Sequence, residues 1–262
     1  MKDLTISLIQ ADLHWEQIDA NLAMFEEHIW NIPSTDVVIL PEMFTTGFSM
    51  NPIKLAEPPG GKTFKWMRQI AIQRKVAIVG SYIVKEAGAY FNRLYFVFPD
   101  GSSESYNKKH LFTLAGEDKE YTAGTERVIL EYKGWKIFPM ICYDLRFPVW
   151  ARSQRDSSQT YEYDLLIYVA NWPDTRVNAW DALLKARAIE NISFSAGVNR
   201  IGTDAYPKDY NGHSAVYSYD GTELGFSENK EEIITCRLKA SDMLKFRERF
   251  PFQEDSDKFS LE

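Results

Sequence analysis

Short apolar runs that favour strands alternate with amphipathic stretches that favour helices, and this alternation constrains the fold more than any other feature. Residues 4–9 are mostly apolar or β-branched, and residues 18–29 then repeat apolar side chains at helical spacing. The order strand, helix, strand recurs at residues 164–171, 176–191 and 193–199. Helices and strands mixed in this way are typical of α/β proteins. The sequence therefore predicts an α/β fold.

Further elements continue the mixed pattern, and no linker divides them. Strands are predicted over 36–42, 76–84, 213–226 and 232–238, a helix around 64–71, and hairpin turns at 99–101 and 133–134. We see no Pro/Gly/Ser-rich linker, internal repeat or low-complexity segment in the sequence. Residues 1–262 are therefore expected to form a single domain, with the polar residues after about 250 as an extended C-terminal tail.

Composition and charge argue against several classes of protein. Hydrophobic residues make up 45% of the 262 residues, which is enough for a substantial core. Two cysteines are too few for a disulfide framework, so the default compartment is a reducing cytoplasm. The net charge of -7 argues against a nucleic-acid partner. Because no apolar stretch approaches the roughly 18 residues of a membrane span, we predict a cytoplasmic protein that binds neither membrane nor nucleic acid.

Three of the predicted core strands end in a polar residue. The strands stop at Glu42, at Cys142 and at Asn171. Ligands of α/β sheets bind beyond the carboxyl ends of the strands, often in a pocket with a few convergent polar groups. We therefore expect these three side chains to meet in one pocket.

Two roles fit Cys142, which stands where an apolar run stops. One is packing as a small buried side chain, as is common for free cysteines. The other is nucleophilic, because a cysteine at a strand end gains backbone N–H donors that stabilise a thiolate and later an oxyanion. A thiolate of low pKa would react with iodoacetamide well before Cys236, which lies within the run EIITCRL and is expected only to pack.

Glu42 and the segment SYNKKHLF offer further reactive groups. Glu42 directly follows an apolar run, where a carboxylate is costly to bury unless it is bonded or used as a general base. A solvated loop glutamate is the alternative. If the later segment is extended, Lys108 and Lys109 face opposite sides, so only one of them points at the pocket. His110 leaves open a Cys-His pair of the thiol-protease type.

The sequence contains no strong cofactor motif. No cysteine or histidine cluster has the spacing of a metal site. The segment Gly61-Lys62-Thr63 resembles the end of a phosphate-binding loop, but the first glycine of that pattern is replaced by Ala56. We therefore predict no metal and no cofactor.

Glu42, Lys108 and Cys142 occur in the order Glu, Lys, Cys within distinctive segments. In LPEMF, YNKKHLF and ICYDLRFP, and in the later blocks ANWP and ARAIEN, the chain resembles the nitrilase (carbon-nitrogen hydrolase) superfamily over essentially its whole length. Its segments PEMFTTGFSMN and NWPDTRVNAWDALLKARAIEN look most like bacterial omega-amidases. The resemblance implies an αββα sandwich, which commonly pairs through helices into a four-layer homodimer.

The resemblance also implies a role for each motif residue. Glu42 matches the general base, Lys108 the oxyanion-stabilising cation and Cys142 the nucleophile of a thiol-dependent amidohydrolase. A second family glutamate matches Glu117, with Glu120 as the less suitable alternative, and would help to position the hydrolytic water. No histidine has a step in this chemistry.

The omega-amidase resemblance implies a substrate with a terminal amide and a distal carboxylate, namely 2-oxoglutaramate, 2-oxosuccinamate or succinamate. A carboxylate calls for a cation, and Arg146 and Arg176 are the candidates, with structural ion pairs as the alternative for both. The backbone N–H of Tyr143 would join the lysine at the oxyanion. Trp172 and Phe44 follow strand ends closely enough to line the pocket, although an ordinary aromatic core is the safer interpretation of Phe44.

Two other functions remain open from the sequence alone. The same thiol chemistry would serve another C–N substrate, such as deaminated glutathione, a carbamoyl amine or a nitrile, because the catalytic residues are shared. A non-catalytic binding protein of the same fold is the second alternative, and the intact Glu-Lys-Cys set argues against it.

Overall fold

Two mixed β-sheets with flanking helices make up the molecule. The computed structural model describes residues 1–154, 161–206, 208–257 and 259–261. The strands, in chain order, are β1 (Leu4–Gln10), β2 (Val37–Ile39), β3 (Ala77–Glu86), β4 (Ala89–Val97), β5 (Ser103–Asn107), β6 (Leu130–Tyr132), β7 (Trp135–Ile141), β8 (Leu165–Ala170), β9 (Phe194–Asn199), β10 (Ile201–Thr203), β11 (Asp209–Tyr217), β12 (Glu223–Glu228) and β13 (Glu232–Leu238).

Seven α-helices and several 3₁₀ turns connect these strands within the described residues. The helices are α1 (Ile18–Asn31), α2 (Pro52–Leu55), α3 (Lys62–Arg74), α4 (Glu117–Glu120), α5 (Pro148–Ala151), α6 (Val177–Asn191) and α7 (Ala240–Arg249). The 3₁₀ turns are Thr113–Ala115, Cys142–Arg146, Asp174–Arg176 and Phe252–Asp255. No helix in these described ranges combines the length and the apolar character needed to cross a membrane.

Each sheet has parallel strands at its centre and antiparallel strands at its edges. The first sheet has the order β13-β1-β2-β3-β4-β5, in which β1, β2 and β3 run parallel. The second has the order β10-β11-β9-β8-β7-β6, with β12 paired to β11, and its strands β7, β8 and β9 run parallel. The carboxyl ends of parallel neighbours lie at one edge of a sheet, so Cys142 and Asn171 come together after β7 and β8.

Alternation along β1 shows how the layers are built. Leu4, Ile6 and Leu8 belong to the core cluster shared with the second sheet, whereas Ile9 belongs to the outer cluster that contains Phe25 of α1. Successive side chains of a strand point to opposite faces, and six of the seven β1 residues are buried, so β1 is covered on both sides. The core between the sheets is continuous, and the described chain forms one domain, as predicted.

The structure confirms the predicted elements and corrects their ends. The strand predicted over 36–42 is limited to Val37–Ile39, because the chain turns before it reaches Glu42. The polar C-terminal residues are not simply extended from 250 onward. Phe252–Asp255 form a 3₁₀ turn, and the buried Gln253 donates a hydrogen bond to the carbonyl of Glu190.

A buried ion pair fastens α7 to the second sheet. Arg247 of α7 bonds Asp164 (Nη1–Oδ1 2.6 Å), and it also donates to the carbonyls of Ile192 and Tyr163 (2.9 Å each). The Arg247 side chain is only 6% exposed. Breaking a buried pair leaves an uncompensated charge, whereas exposed pairs contribute little.

We expect Arg247→Met to lower the free energy of unfolding by about 3–5 kcal/mol, because Asp164 would stay buried without its partner. The matched control is Arg237→Met, which removes an arginine that is 71% exposed and pairs with Asp3, and its expected cost is below about 1 kcal/mol. Urea denaturation of both variants measures the difference. Equal losses of stability would contradict the assignment of Arg247 as a buried anchor.

Candidate active site

Cys142 lies at the end of β7 in a strained conformation. The strand ends at Ile141, and Cys142 opens the 3₁₀ turn Cys142–Arg146 with φ at +43°. A non-glycine residue in this left-handed region costs of the order of 1–3 kcal/mol and persists only where its surroundings hold it. The side chain is 8% exposed and its sulfur lies 3.9 Å from the carbonyl oxygen of Asn171. The strand therefore stops and presents the thiol at the edge of the sheet.

Glu42 is fully buried and accepts hydrogen bonds on both carboxylate oxygens. Its Oε1 accepts from Lys108 Nζ and from Asn92 Nδ2, each at 2.8 Å. Its Oε2 accepts from the backbone N–H of Asn171 at 2.9 Å. This arrangement excludes the alternative of a solvated loop glutamate. It also brings the ends of β2 and β8 together, as the sequence predicted.

Lys108 bridges Glu42 and Glu117. Its Nζ lies 2.8 Å from Glu117 Oε2 and 3.0 Å from Oε1, and the lysine is 1% exposed. Glu117 is also buried, whereas Glu120 is exposed, so the second glutamate beside the lysine is Glu117. Lys109 points away and lies over the ring of Trp150 at 5.1 Å. Of the lysine pair, only Lys108 thus enters the site.

Burial and mutual charge set the protonation states of this cluster. Burial alone lowers the pKa of Lys108, but the negative charges of Glu117 and Glu42 outweigh it and raise the pKa above its ordinary value. Burial also raises the pKa of Glu117, although Lys108 opposes the shift. For Cys142, burial and then the charge of Glu42 raise the pKa well above its ordinary value. Cys142 is therefore a neutral thiol at rest, and the expectation of a low-pKa thiolate is wrong.

Replacing Glu42 with glutamine is expected to lower the pKa of Cys142. After burial, the negative charge of Glu42 is the main cause of the raised pKa, while Lys108 acts in the opposite direction. Removing that charge leaves Lys108 to favour the thiolate. The pH dependence of Cys142 alkylation by iodoacetamide, measured in a Cys236→Ala background, should shift to lower pH in Glu42→Gln. A midpoint that stays in place or rises would contradict this account.

A pocket opens over Cys142 and carries several positive charges. The pocket has an empty volume of about 430 Å³, which includes space open to solvent. The lining residues are Phe48, Lys108, Phe112, Cys142, Tyr143, Arg146, Asn171, Trp172, Pro173, Arg176, Lys208 and Tyr210. Arg146 lies over the ring of Trp172 at 4.8 Å and Arg176 over that of Phe112 at 5.1 Å.

The charges of the two arginines are not neutralised within the described part of the chain. Neither guanidinium makes an ion pair or a hydrogen bond there, so the alternative of structural salt bridges does not hold. No carboxylate side chain lines the pocket in the described residues. Uncompensated cations beside a thiol suit an anionic substrate.

Three residues singled out in the sequence lie outside this pocket. Phe44 is fully buried in the outer core, with ring centroids 5.6 Å from Phe25 and 5.9 Å from Trp66, so its predicted place in the pocket lining is wrong. His110 stacks on Phe147 at 3.8 Å, and its Nδ1 bonds the carboxylate of Asp144. This arrangement gives no support to a Cys-His pair. Cys236 is buried in β13, and burial raises its pKa to about 11.

Sequence reasoning missed several residues of the site. Asn92 of β4 donates to both Glu42 and Glu117, at 2.8 and 3.3 Å, and so holds the two carboxylates together. Its only signal was a polar side chain inside an apolar strand. Phe48 and Tyr210 reach the pocket from a loop and from β11, and no motif marked them. Within the described ranges, no three His, Cys, Asp or Glu side chains are grouped so as to hold a metal ion.

Comparison with known proteins identifies the family. The family model for carbon-nitrogen hydrolases matches residues 5–248. The chain belongs to the carbon-nitrogen hydrolase family. The buried glutamate, the buried lysine and the cysteine at the strand end described above therefore lie in a carbon-nitrogen hydrolase.

Relatives of this carbon-nitrogen hydrolase include proteins named for amidase activity. The omega-amidase YafV of Yersinia enterocolitica is 41% identical, and the alignment covers all of both chains. The 2-oxoglutaramate amidase of Bacillus subtilis is 33% identical over 96% of each chain. The crystal structure of XC1258 from Xanthomonas campestris, a CN-hydrolase superfamily protein with an arsenic adduct in its active site, is 41% identical, covers 100% of both chains and superposes with a TM-score of 0.98.

Proposed function

We propose that this carbon-nitrogen hydrolase is an omega-amidase that releases ammonia from the terminal amide of small dicarboxylate monoamides, namely 2-oxoglutaramate, 2-oxosuccinamate or succinamate. The observation that carries the proposal is a buried Glu42-Lys108-Glu117 cluster beside Cys142, together with two arginines in the same pocket that have no ion-pair partner among the described residues. The full-length similarity to an omega-amidase and to a 2-oxoglutaramate amidase supports it.

Acylation begins with a neutral thiol. Glu42 takes the proton of Cys142 as the sulfur attacks the amide carbonyl carbon, so the thiolate never has to persist beside two buried carboxylates. The carbonyl oxygen becomes negative between Lys108 and the backbone N–H of Tyr143. The C–N bond then breaks, ammonia leaves with the proton held by Glu42, and the acyl group remains on Cys142 as a thioester.

Deacylation uses the same groups in a second round. A water molecule attacks the thioester while Glu42 accepts its proton, and the new oxyanion occupies the same site beside Lys108. Collapse of this intermediate breaks the C–S bond, and the proton on Glu42 returns to Cys142. Both oxygens of Glu117 contact Lys108 Nζ, which supports a role for Glu117 in holding the lysine in place rather than in positioning the water.

The arginines suit the far end of the substrate. An omega-amide of a dicarboxylic acid carries a carboxylate at the end opposite the reacting amide, and a guanidinium binds such a group in a bidentate manner. Arg146 lies on the same turn as Cys142 and rests on Trp172, whereas Arg176 ends the 3₁₀ turn just before α6 and rests on Phe112. We assign the carboxylate to Arg146, with Arg176 as the outer cation and Trp172 as a wall of the subsite.

We expect Arg146→Met to lower kcat/KM for 2-oxoglutaramate by about 100-fold, because a desolvated carboxylate would lose its charged partner. Arg176→Met should cost about tenfold. Butyramide, which lacks the carboxylate, serves as the matched substrate, and its slow hydrolysis should change by no more than about threefold in either variant. Equal losses for both substrates would show that the arginines do not act on the carboxylate.

A panel of substrates tests the proposed function. It measures ammonia release from 2-oxoglutaramate, succinamate, glutamine, deaminated glutathione and a simple nitrile, with Cys142→Ala as the control. Preferred turnover of the first two, absent from the control, is the expected result. Activity confined to the other compounds would keep the chemistry and overturn the substrate, and no activity on any of them would revive the non-catalytic binding protein.

The assembly and compartment are part of the same proposal. We propose a cytoplasmic homodimer, in keeping with two free cysteines and with the exposed apolar side chains of Val149 in α5 and Phe252 in the C-terminal 3₁₀ turn. Light scattering should give the mass of two chains of 30.3 kDa. A single-chain mass at working concentrations would contradict the dimer.

A further inference from the structure

One buried carboxylate joins the turn after β7 to residues 106–110, here called the lysine segment, which begins within β5. The side chain of Asp144 is fully buried. Its Oδ2 accepts hydrogen bonds from the backbone N–H of Ile141 at 3.0 Å and from the hydroxyl of Tyr106 at 2.8 Å. Its Oδ1 accepts from the backbone N–H of His110 at 2.9 Å and lies 2.8 Å from Nδ1 of the same residue. Hydrogen bonds to one side chain thus join two parts of the chain that are distant in sequence.

Cys142 and Lys108 each lie, in sequence, between residues joined through the hydrogen bonds of Asp144. On one side Cys142 lies between Ile141 and Asp144, so the turn that carries the thiol is closed by the carboxylate. On the other side Lys108 lies midway in sequence between Tyr106 and His110, the two residues of the lysine segment that bond Asp144. Movement of either segment relative to the other would have to break one of these bonds.

Both oxygens of Asp144 are engaged. A carboxylate offers about four lone-pair sites, and four partner atoms lie within hydrogen-bond distance of Asp144. The hydroxyl of Tyr106 also accepts from Trp150 Nε1 at 3.2 Å, which leaves its own hydrogen for Asp144. The ring of His110 is stacked on Phe147, with an angle of 8° between the planes. These partners hold the Asp144 carboxylate in place between the two parts of the chain.

We propose that Asp144 is a positioning residue that sets the distance between the Cys142 thiol and the Lys108 ammonium, and so holds Lys108 beside the oxyanion that forms when the thiol attacks. The left-handed backbone of Cys142 needs such support, because its strain persists only where neighbouring contacts over-determine it. The proposal rests on the proposed function for the oxyanion role of Lys108. Misplacement by about 1 Å in an active site can reduce the rate roughly 100-fold.

Two variants test the positioning role by their effect on kcat. We expect Asp144→Asn to reduce kcat by about 10²–10³-fold. An amide nitrogen would replace one carboxylate oxygen and could no longer accept the hydrogen bonds made there, so the turn and the lysine segment would be less firmly joined. Tyr106→Phe removes the bond to Asp144 and the two bonds that the hydroxyl accepts, from Trp150 Nε1 and from the backbone N–H of Lys109, at 3.2 Å each. It should reduce kcat by about tenfold, with KM changed by less than about threefold. Tyr163→Phe, which removes another fully buried hydroxyl, bonded to the carbonyl of Ala151, is the matched control and should leave kcat unchanged.

The double variant separates positioning from general destabilisation. If Tyr106 acts through Asp144, the double variant should have a kcat within about threefold of Asp144→Asn alone, because the effects of coupled residues do not add. A fold reduction in kcat equal to the product of the two single-variant reductions would overturn the proposal. So would folded single variants with wild-type kcat. Should Asp144→Asn fail to fold, Tyr106→Phe measured against Tyr163→Phe decides the question.

A second readout keeps this test independent of the substrate. The positive charge of Lys108 lowers the pKa of Cys142, so a loosened lysine segment should slow alkylation of Cys142 by iodoacetamide at neutral pH. In a Cys236→Ala background, we expect Asp144→Asn and Tyr106→Phe to react at least about threefold more slowly than Tyr163→Phe. Failure of the wild type on every amide would overturn the proposed function alone. Unchanged alkylation in both variants would overturn the positioning role.

Discussion

Replacing Cys142 with alanine is expected to reduce ammonia release by at least about 10⁴-fold, which is the largest effect of any single substitution at this site. The reason is that no other nucleophile is available to form the thioester. In the described chain, the second cysteine lies in β13, and His110 is held away by Asp144 and Phe147. Steady-state assays with 2-oxoglutaramate measure the loss.

The control for this prediction is Cys236→Ala. Cys236 is buried, and its sulfur lies 3.5 Å from the carbonyl oxygen of Leu224, so its loss should affect packing only. We expect its kcat to lie within about twofold of wild type. Residual activity of Cys142→Ala above a few per cent, measured on protein free of wild-type contamination, would contradict the role of Cys142 as the nucleophile.

Replacing Lys108 with methionine is expected to reduce kcat by about 10²–10³-fold, the usual cost of losing one oxyanion donor. Stability should also fall by about 3–5 kcal/mol, because Glu42 and Glu117 would stay buried without their cation. Enzyme kinetics and urea denaturation of the same preparation measure the two effects together.

Lys109→Met is the matched control for Lys108→Met, since the neighbouring lysine has the same chemistry but lies over Trp150 outside the pocket. We expect it to retain kcat within about twofold of wild type and to lose less than about 1 kcal/mol of stability. If Lys108→Met kept most of its kcat, or if the two lysine variants lost the same activity, the oxyanion role of Lys108 would be wrong.

Local patterns predicted most of the fold and the reactive residues. The apolar run of β1 and the helical spacing of α1 each reflect burial that is decided within a few residues, so both were readable. The polar residues at the strand ends were readable for the same reason. Cys142 and Asn171 follow parallel neighbours, whose carboxyl ends must lie together.

Contacts between distant segments could not be read in the same way. Asn92 of β4 joins Glu42, which follows β2, to Glu117 of α4, and nothing near it in sequence marks that role. Phe44 was misplaced because a residue close to a strand end can turn either to the pocket or to the outer core, and here it packs on Phe25. The raised pKa of Cys142 depends on the burial and charge of Glu42, which only the assembled site reveals.

The most direct test of the central claim is to capture the acyl group on Cys142. The purified enzyme is mixed with succinamate in the presence of hydroxylamine, the reaction is quenched in acid, and the products and the Cys142 peptide are analysed by mass spectrometry. A thioester partitions between water and hydroxylamine, so we expect a hydroxamate to form in step with ammonia release, and neither product to form with Cys142→Ala. Ammonia release without any hydroxamate and without an acylated Cys142 peptide would contradict the thioester mechanism and, with it, the assigned role of Cys142.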